Sequence, residues 1–249
     1  MSGQSIALAD VVQDGHVFDK SAELYDLFYD WKDYRAEAEK VREIVASRTP
    51  AARTLLDVAC GTGSHVEHLR EWYAVEGLDL DPGLLEVAAE RLPGVDLHHG
   101  DMRDFDLGRT FDVVTCLFSS IGYGQTTDGL GQAVNAMARH LAHTGVLIVE
   151  PWLSPDTFDP TFMGRVVVAE LPDLHAVRMN ASRIEGNLSV MDFHYLVGRP
   201  GTVQHFTEEH TLGLFTDGEY RSAFEGAGLT AEHDPEGLMG RGLWIAQKA

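Results

Sequence analysis

Leu55-Leu56-Asp57-Val58-Ala59-Cys60-Gly61-Thr62-Gly63-Ser64-His65, followed downstream by Glu76-Gly77-Leu78-Asp79, decides how this chain folds. An apolar β run ends in a loop with glycines two apart, and a helical pattern follows. A second apolar run then ends in a carboxylate about 20 residues on, the layout of a nucleoside-binding crevice on a doubly wound sheet. Gly61 and Gly63 let the backbone turn sharply and approach a ligand closely. Asp79, at the tip of the next strand, is placed to accept both hydroxyls of a ribose. The third glycine of a dinucleotide fingerprint would fall at position 66, where Val66 stands. The loop therefore suits a nucleoside without a pyrophosphate bridge, and S-adenosylmethionine (SAM) is the leading candidate. A third element follows in Val95-Asp96-Leu97-His98-His99-Gly100-Asp101-Met102-Arg103-Asp104-Phe105. Its short strand ends at Gly100 and leaves Asp101 to accept from an exocyclic amine such as that of adenine. Taken singly, a Gly-x-Gly is most simply a turn and an Asp after a strand a solvated cap; the order of the three elements carries the reading.

Composition frames it. A chain of 249 residues can bury a sizeable core as one domain with an elaboration. A formal net charge of −20 and a pI near 4.8 argue against a nucleic-acid partner, which would need a basic face. No apolar run approaches the roughly 18 residues of a membrane span, so no membrane partner is expected. The N-terminus has neither a basic flank nor an apolar signal core, which implies a cytoplasmic protein. Cys60 and Cys116 sit in apolar strand patterns and read as small core residues rather than a disulfide.

Along the chain, helical patterns cover about Tyr34 to Ser47, Val66–Trp72, Pro82–Arg91 and Gly129–Leu141, with strands at Thr54–Val58, Tyr73–Leu78, Phe111–Leu117 and Gly145–Val149. Asp81-Pro82 starts one helix well, as N-cap and first helical residue. Strands alternating with helices imply right-handed crossovers and a parallel sheet. From about 165 to 215 the pattern turns β-rich, with period-two stretches at Leu188–Val197 and His205–Phe215 about the turn Gly198-Arg199-Pro200-Gly201. A helix at about Asp217–Ala227 and a strand at Leu243–Gln247 close the chain. The expected fold class is α/β, a doubly wound and mostly parallel sheet with an antiparallel β insertion over the active site. Its parts are an N-terminal helical cover (1–50), a SAM-binding core (51–152 and 216–249) and the insertion (153–215). Residues 1–21 are expected to be partly mobile unless substrate orders them.

Asp57-Val58-Ala59-Cys60-Gly61-Thr62-Gly63 resembles motif I of class I SAM-dependent methyltransferases. More narrowly, the chain resembles the N,N-dimethyltransferases that act on TDP-linked amino sugars in bacterial antibiotic pathways, of the desosamine and mycaminose type. That resemblance runs from about Ala22 to the C-terminus. It is carried by Glu23-Leu24-Tyr25-Asp26-Leu27, Lys32-Asp33-Tyr34, Gly100-Asp101-Met102-Arg103-Asp104-Phe105, Phe118-Ser119-Ser120-Ile121-Gly122, Val149-Glu150-Pro151-Trp152 and Gly240-Arg241-Gly242-Leu243. It implies that Ala59, Gly61 and Gly63 line the methionine part of SAM, Asp79 and Leu80 its ribose side, and Asp101 and Met102 its adenine. It further implies that Leu117 and Phe118 close the strand end beneath the sulfonium, while Tyr25 and Tyr34 fold over cofactor and amino sugar. Ser119, Tyr123, Glu150, Trp152 and Arg178 would surround the TDP-sugar, and Arg241 would meet its diphosphate, for which a guanidinium between two glycines is also suited on its own chemistry. The family is expected to include homodimers.

Two positions depart from that family's pattern: it carries His where Tyr123 stands, and a second aromatic where Leu153 follows Trp152. Tyrosine is a poor base near neutral pH, which leaves either a dispensable base or a sugar seated differently, with its amine on another ring carbon. Tyr25, Tyr123 and Glu150 are the candidates for steering or accepting the proton, and Glu150 reads equally as a cap at a strand end. Among other features, His65 and His68 lack a third metal ligand, and His98-His99 point to opposite faces of a strand. No metal is expected. Ser119-Ser120 lacks a nucleophile elbow. Glu208-Glu209 and Asp104/Asp106 read as solvated charges. A methyltransferase of another small-molecule amine or hydroxyl, and a non-catalytic SAM-binding module, remain alternatives; a dinucleotide oxidoreductase is disfavoured by Val66.

Overall fold

The computed structural model describes residues 21–161 and 166–249. Residues 1–20 lie outside the described residues, and with them the expected mobility of the N-terminal stretch. In chain order the elements are α1 (Tyr25–Phe28), α2 (Tyr34–Arg48), β1 (Thr54–Val58), α3 (Ser64–Leu69), β2 (Ala74–Asp79), α4 (Pro82–Arg91), β3 (Asp96–His99), β4 (Phe111–Cys116), α5 (Thr127–Arg139) and β5 (Leu141–Val149). Then come β6 (Val167–Leu171), β7 (Leu174–Glu185), β8 (Leu188–Arg199), β9 (Thr202–Gly213), α6 (Asp217–Gly226), β10 (Leu229–Asp234) and β11 (Leu243–Lys248).

A seven-stranded sheet in the order β10-β11-β5-β4-β1-β2-β3 forms the centre. Strands β1 to β5 run parallel; β11 joins β5 antiparallel at one edge, and β10 pairs antiparallel with β11 outside it. Strand β1 pairs with β2 on one side and β4 on the other. The direction of winding reverses there, and a crevice opens at the carboxyl ends. Leu55, Leu56, Val113, Val114, Leu147 and Ile148 are all fully buried, as strands covered on both faces must be.

Local signals explain most boundaries. Asp81 caps α4 by accepting from the backbone N–H groups of Gly83 and Leu84, which satisfies two donors left over at a helix start. Thr216 and Glu219 form a reciprocal capping box on α6. Gly63, with φ +78, sits where a Cβ would overlap Leu92 at the end of α4, so it allows close packing of loop on helix. Strand β10 went unread in the sequence because only Leu229 and Ala231 of its six residues are apolar.

The insertion is a separate four-stranded antiparallel sheet, β6-β7-β8-β9. Strands β8 and β9 pair in register from Leu188↔Gly213 to Arg199↔Thr202. This fixes which side chains share a face. Arg178, Asn180 and Ser182 on β7, Met191, Phe193 and Tyr195 on β8, and Glu208, His210 and Leu212 on β9 face one way. The rows Asn180–Phe193–Glu208 and Ser182–Met191–His210 lie directly across the strands. The opposite face carries Arg183 with Asp192 and Glu209.

Candidate active site

The carboxyl ends of the central strands and the inward face of the insertion enclose one cleft of about 1100 Å³. Ala59, Gly61, Asp79, Leu80, Asp101 and Met102 line it from the ends of β1, β2 and β3. Ser119, Tyr123 and Trp152 line it from the ends of β4 and β5, and Arg241 from the loop before β11. Arg178, Phe193 and His210 face it from the insertion, and Tyr25 and Tyr29 cover it from α1 and the residue that follows.

The glycine loop is built from both sides. Asp79, buried at the end of β2, accepts from Gly61 N–H through one carboxylate oxygen at 2.7 Å and from Asp81 N–H through the other at 2.9 Å. It therefore pins the loop as well as lining the cleft. Burial raises its carboxyl, against the pull of those amides. Ala59 and Gly61 both have positive φ. A Cβ on Gly61 would meet no protein atom within 4 Å, so the space beside it is left to a ligand. The cover is tethered to the same loop: Asp26 accepts from Thr62 Oγ1 at 2.7 Å and from Ser64 Oγ at 3.2 Å, and pairs with Arg91 of α4.

The other side of the cleft depends on two adjacent strained residues. Phe118 (φ +52) and Ser119 (φ +65) follow β4 in left-handed conformations, which cost free energy for residues other than glycine and persist only when neighbours enforce them. Glu150, fully buried, enforces the first by accepting from Phe118 N–H at 2.6 Å. Ser119 Oγ donates to Pro151 O at 2.8 Å and accepts from Arg241 Nη1 at 3.0 Å. Arg241 stacks over Trp152 at 5.0 Å. Arg178 is 9% exposed and lies against the rings of Phe28, Tyr29 and Phe193 at 4.6–5.0 Å. Neither arginine makes an ion pair with a carboxylate among the described residues.

Most of the expected site residues line this cleft. Four do not. Gly63 packs against α4 instead. Tyr34 and Leu117 line a smaller cavity of about 30 Å³ under the loop, shared with Asp57 and His65. The Tyr34 ring stands edge-on to His65, 4.9 Å between centroids. Glu150 lines neither space; one of its carboxylate oxygens holds the Phe118 backbone amide, and the other is buried without a hydrogen-bond partner among the described residues. Asp101 lines the cleft, but Arg103 already grips its carboxylate through Nε at 3.0 Å and backbone N–H at 2.9 Å and holds it below the ordinary carboxylate range.

Other side chains at the site lay outside the sequence reading. Glu208 is a correction: it is 9% exposed on the inward row of β9 and accepts from Ser21 Oγ at 2.7 Å, whereas Glu209 faces outward as expected of a solvated charge. The strict alternation of a strand was the available signal. Asp57 accepts from Thr115 Oγ1 at 2.6 Å, and burial pushes its carboxyl up to about 6. Buried His65 hydrogen-bonds Glu37 at 2.8 Å, and Glu37 also pairs with Lys32. Asp26 stands in a stretch that carries the family resemblance, yet neither it nor Arg91, which together bind the cover to the loop, was given a role there.

An open-ended parallel sheet, a glycine loop with a free face and a strand-end carboxylate define a class I SAM-dependent methyltransferase. Residues 55–145 match the family described as "Methyltransferase domain". The chain is 46% identical over 92% of its length, and 98% of the relative's, to dTDP-3-amino-3,4,6-trideoxy-alpha-D-glucopyranose N,N-dimethyltransferase of Streptomyces venezuelae. It is 44% identical over 90% of its length, and 91% of the relative's, to dTDP-4-amino-2,3,4,6-tetradeoxy-D-glucose N,N-dimethyltransferase of Saccharopolyspora spinosa. The solved structure of SAM-bound CalS10, an amino pentose methyltransferase from Micromonospora echinaspora, superposes with a TM-score of 0.82 at 39% identity, covering 91% of this chain and 97% of that one. The chain belongs to the TDP-amino-sugar N,N-dimethyltransferase family, and its cofactor is SAM.

Proposed function

We propose that this protein transfers methyl groups from SAM to the amine nitrogen of a TDP-linked amino deoxysugar, twice per sugar, in the making of a secondary metabolite. The observation that carries the acceptor class is the pair of arginines. In a chain of net charge −20, Arg178 and Arg241 face the cleft without a carboxylate partner among the described residues. Two uncompensated guanidiniums in one cleft suit a diphosphate, to which arginine donates in paired hydrogen bonds. SAM, when bound, supplies an electrophilic methyl group on a sulfonium.

The chain's own residues supply the rest. Ala59 and Gly61 leave the backbone bare where the cofactor approaches, and Asp79 holds that backbone while offering its remaining lone pairs to a ribose. Leu80 and Met102 provide apolar walls. Tyr25 and Tyr29, tethered through Asp26, cover the cleft and exclude water. Ser119, Arg241, Trp152 and Arg178 orient the nucleotide-sugar so that its nitrogen meets the methyl in line, and such positioning accounts for much of the acceleration in a displacement of this kind.

The relatives named above act on 3-amino and 4-amino sugars at nearly equal identity, so resemblance does not choose the ring carbon. Mass spectrometry of the protein incubated with SAM and a panel of TDP-3-amino and TDP-4-amino deoxysugars tests the proposal. One regioisomer is expected to gain two methyl groups. No gain on any sugar, with SAM still bound, would overturn the amino-sugar assignment.

A further inference from the structure

A row of buried polar side chains runs from the cleft into the insertion. The Tyr123 hydroxyl lies 2.6 Å from His210 Nδ1. His210, 5% exposed on the inward face of β9, stands with its Nε2 3.9 Å from Glu208 Oε2. Glu208 is held by the Ser21 hydroxyl. The Phe193 ring stands edge-on to the imidazole, 4.9 Å between centroids. Both Tyr123 and His210 line the cleft, so the row is open to an acceptor at one end and closed by a carboxylate behind the imidazole.

We propose that Tyr123 and His210, backed by Glu208, relieve the acceptor's ammonium group of its proton, so that the imidazole serving this step comes from the antiparallel sheet. The inference rests on the reading that the acceptor is an amine. An ammonium nitrogen has no lone pair and cannot attack a methyl group. Its N–H bond breaks toward the Tyr123 oxygen while the phenolic proton moves to His210 Nδ1. The amine keeps the electron pair, the phenol is restored, and an imidazolium forms beside the Glu208 carboxylate. The amine's pair then makes the new C–N bond as the C–S bond of the methyl donor breaks. The N-methylated sugar is again an ammonium, so a second transfer needs the same step. The imidazolium returns its proton to water before the next turnover.

The surroundings set the resting state this requires. Burial holds His210 below its ordinary range despite Glu208, and Arg178 on β7 adds to the lowering, so the imidazole is neutral and can accept. Burial raises the Tyr123 phenol well above its ordinary range, with Tyr29 after the cover helix, Tyr195 on β8, Asp79 on β2 and Glu208 on β9 adding to the effect. Tyr123 is therefore a conduit and no base by itself, and the proton must travel on to His210.

Two variants test this. Tyr123→Phe removes the conduit, and His210→Asn keeps a side chain able to accept the Tyr123 hydrogen bond but unable to take up a proton. kcat/KM should be measured against pH at saturating SAM, with the TDP-amino sugar that the wild type methylates. At pH 7 each variant is expected to fall by about tenfold or more. The deficit should narrow as pH rises toward 9, where more of the amine is neutral in solution. A uniform drop at all pH values would overturn the relay. S-adenosylhomocysteine affinity equal to wild type shows that a variant has folded, and Tyr123→Phe, which loses only a hydroxyl, carries the test if His210→Asn does not. A wild type that methylates no amino sugar would overturn the acceptor reading, and the relay with it.

Discussion

In the seven-stranded sheet the residues facing the cleft sit at successive strand ends: Ala59 and Gly61 after β1, Asp79 at the end of β2, Asp101 after β3. In the four-stranded sheet they stand along the inward face of three long strands: Arg178 on β7, Phe193 on β8, His210 on β9. A strand end in a parallel sheet is a local event, built from a turn, a glycine and a helix cap within a few residues. A face of an antiparallel sheet is set by pairing register between distant segments. The proposed cofactor side is therefore specified by short motifs, whereas the proposed acceptor side joins strand-end residues, Ser119, Trp152 and Arg241, to a face set by alignment. A family built this way can keep its cofactor while its acceptor changes.

The sharpest way to break this comparison lies in the local half. Gly61→Val places a β-branched side chain at φ +55, at a cost of about 1–2 kcal/mol, and fills the space left beside the loop. SAM affinity is expected to fall by about a hundredfold or more, roughly 2.7 kcal/mol or more, in calorimetric titration, with the sheet still folded by circular dichroism. An unchanged affinity would mean that the cofactor is held elsewhere.

A smaller effect sharpens the boundary between the halves. Glu150→Ala leaves the Phe118 N–H without its acceptor, a loss of about 1–3 kcal/mol for a buried donor, and frees the strained Phe118-Ser119 pair. The melting temperature and kcat should both fall, kcat by about tenfold, equivalent to roughly 1.4 kcal/mol. Glu150→Gln keeps an amide oxygen at the same place and should retain most activity. A Gln variant as poor as Ala would point to a role for the Glu150 carboxylate beyond holding the Phe118 amide.

A pH-dependent effect concerns Asp57, whose carboxyl is raised by burial to about 6 in the folded protein. A folded value above the unfolded one, about 3.9, means that its stabilising contribution is full below pH 4 and is lost as pH rises through 6. Asp57→Asn cannot ionise and escapes that loss. Without SAM, its melting temperature relative to wild type should climb between pH 4 and 6 and level off above. A flat difference would show that Thr115 and the nearby His65 fully compensate the buried charge.

The same contrast explains what the sequence made legible. Helix α4 was read with its observed bounds, Pro82–Arg91, because Asp81-Pro82 is a self-contained start signal. The glycine loop and Asp79 were legible for the same reason, although Gly63 proved to serve packing and Asp79 to brace the loop as well. In the insertion, period two revealed β8 and β9 but left β6 and β7 unseparated, and it did not say which face was inward. Glu208 and Glu209 look alike in sequence; only register sends one to Ser21 and the other to Arg183. His210 was invisible as a site residue because its partners, Tyr123 and Glu208, converge through pairing, 87 residues separating it from Tyr123. Glu150 was named from a strand end, yet its role depends on the backbone of Phe118, 32 residues away.

The most direct test of the division is a pair of titrations on Arg178→Gln, one with SAM and one with TDP alone. SAM is expected to bind as to wild type, while TDP binds about tenfold or more weakly, since Arg178 stands on the register-built face of the insertion. Equal weakening of both ligands, or TDP affinity left intact, would contradict the assignment of the insertion's inward face to the acceptor.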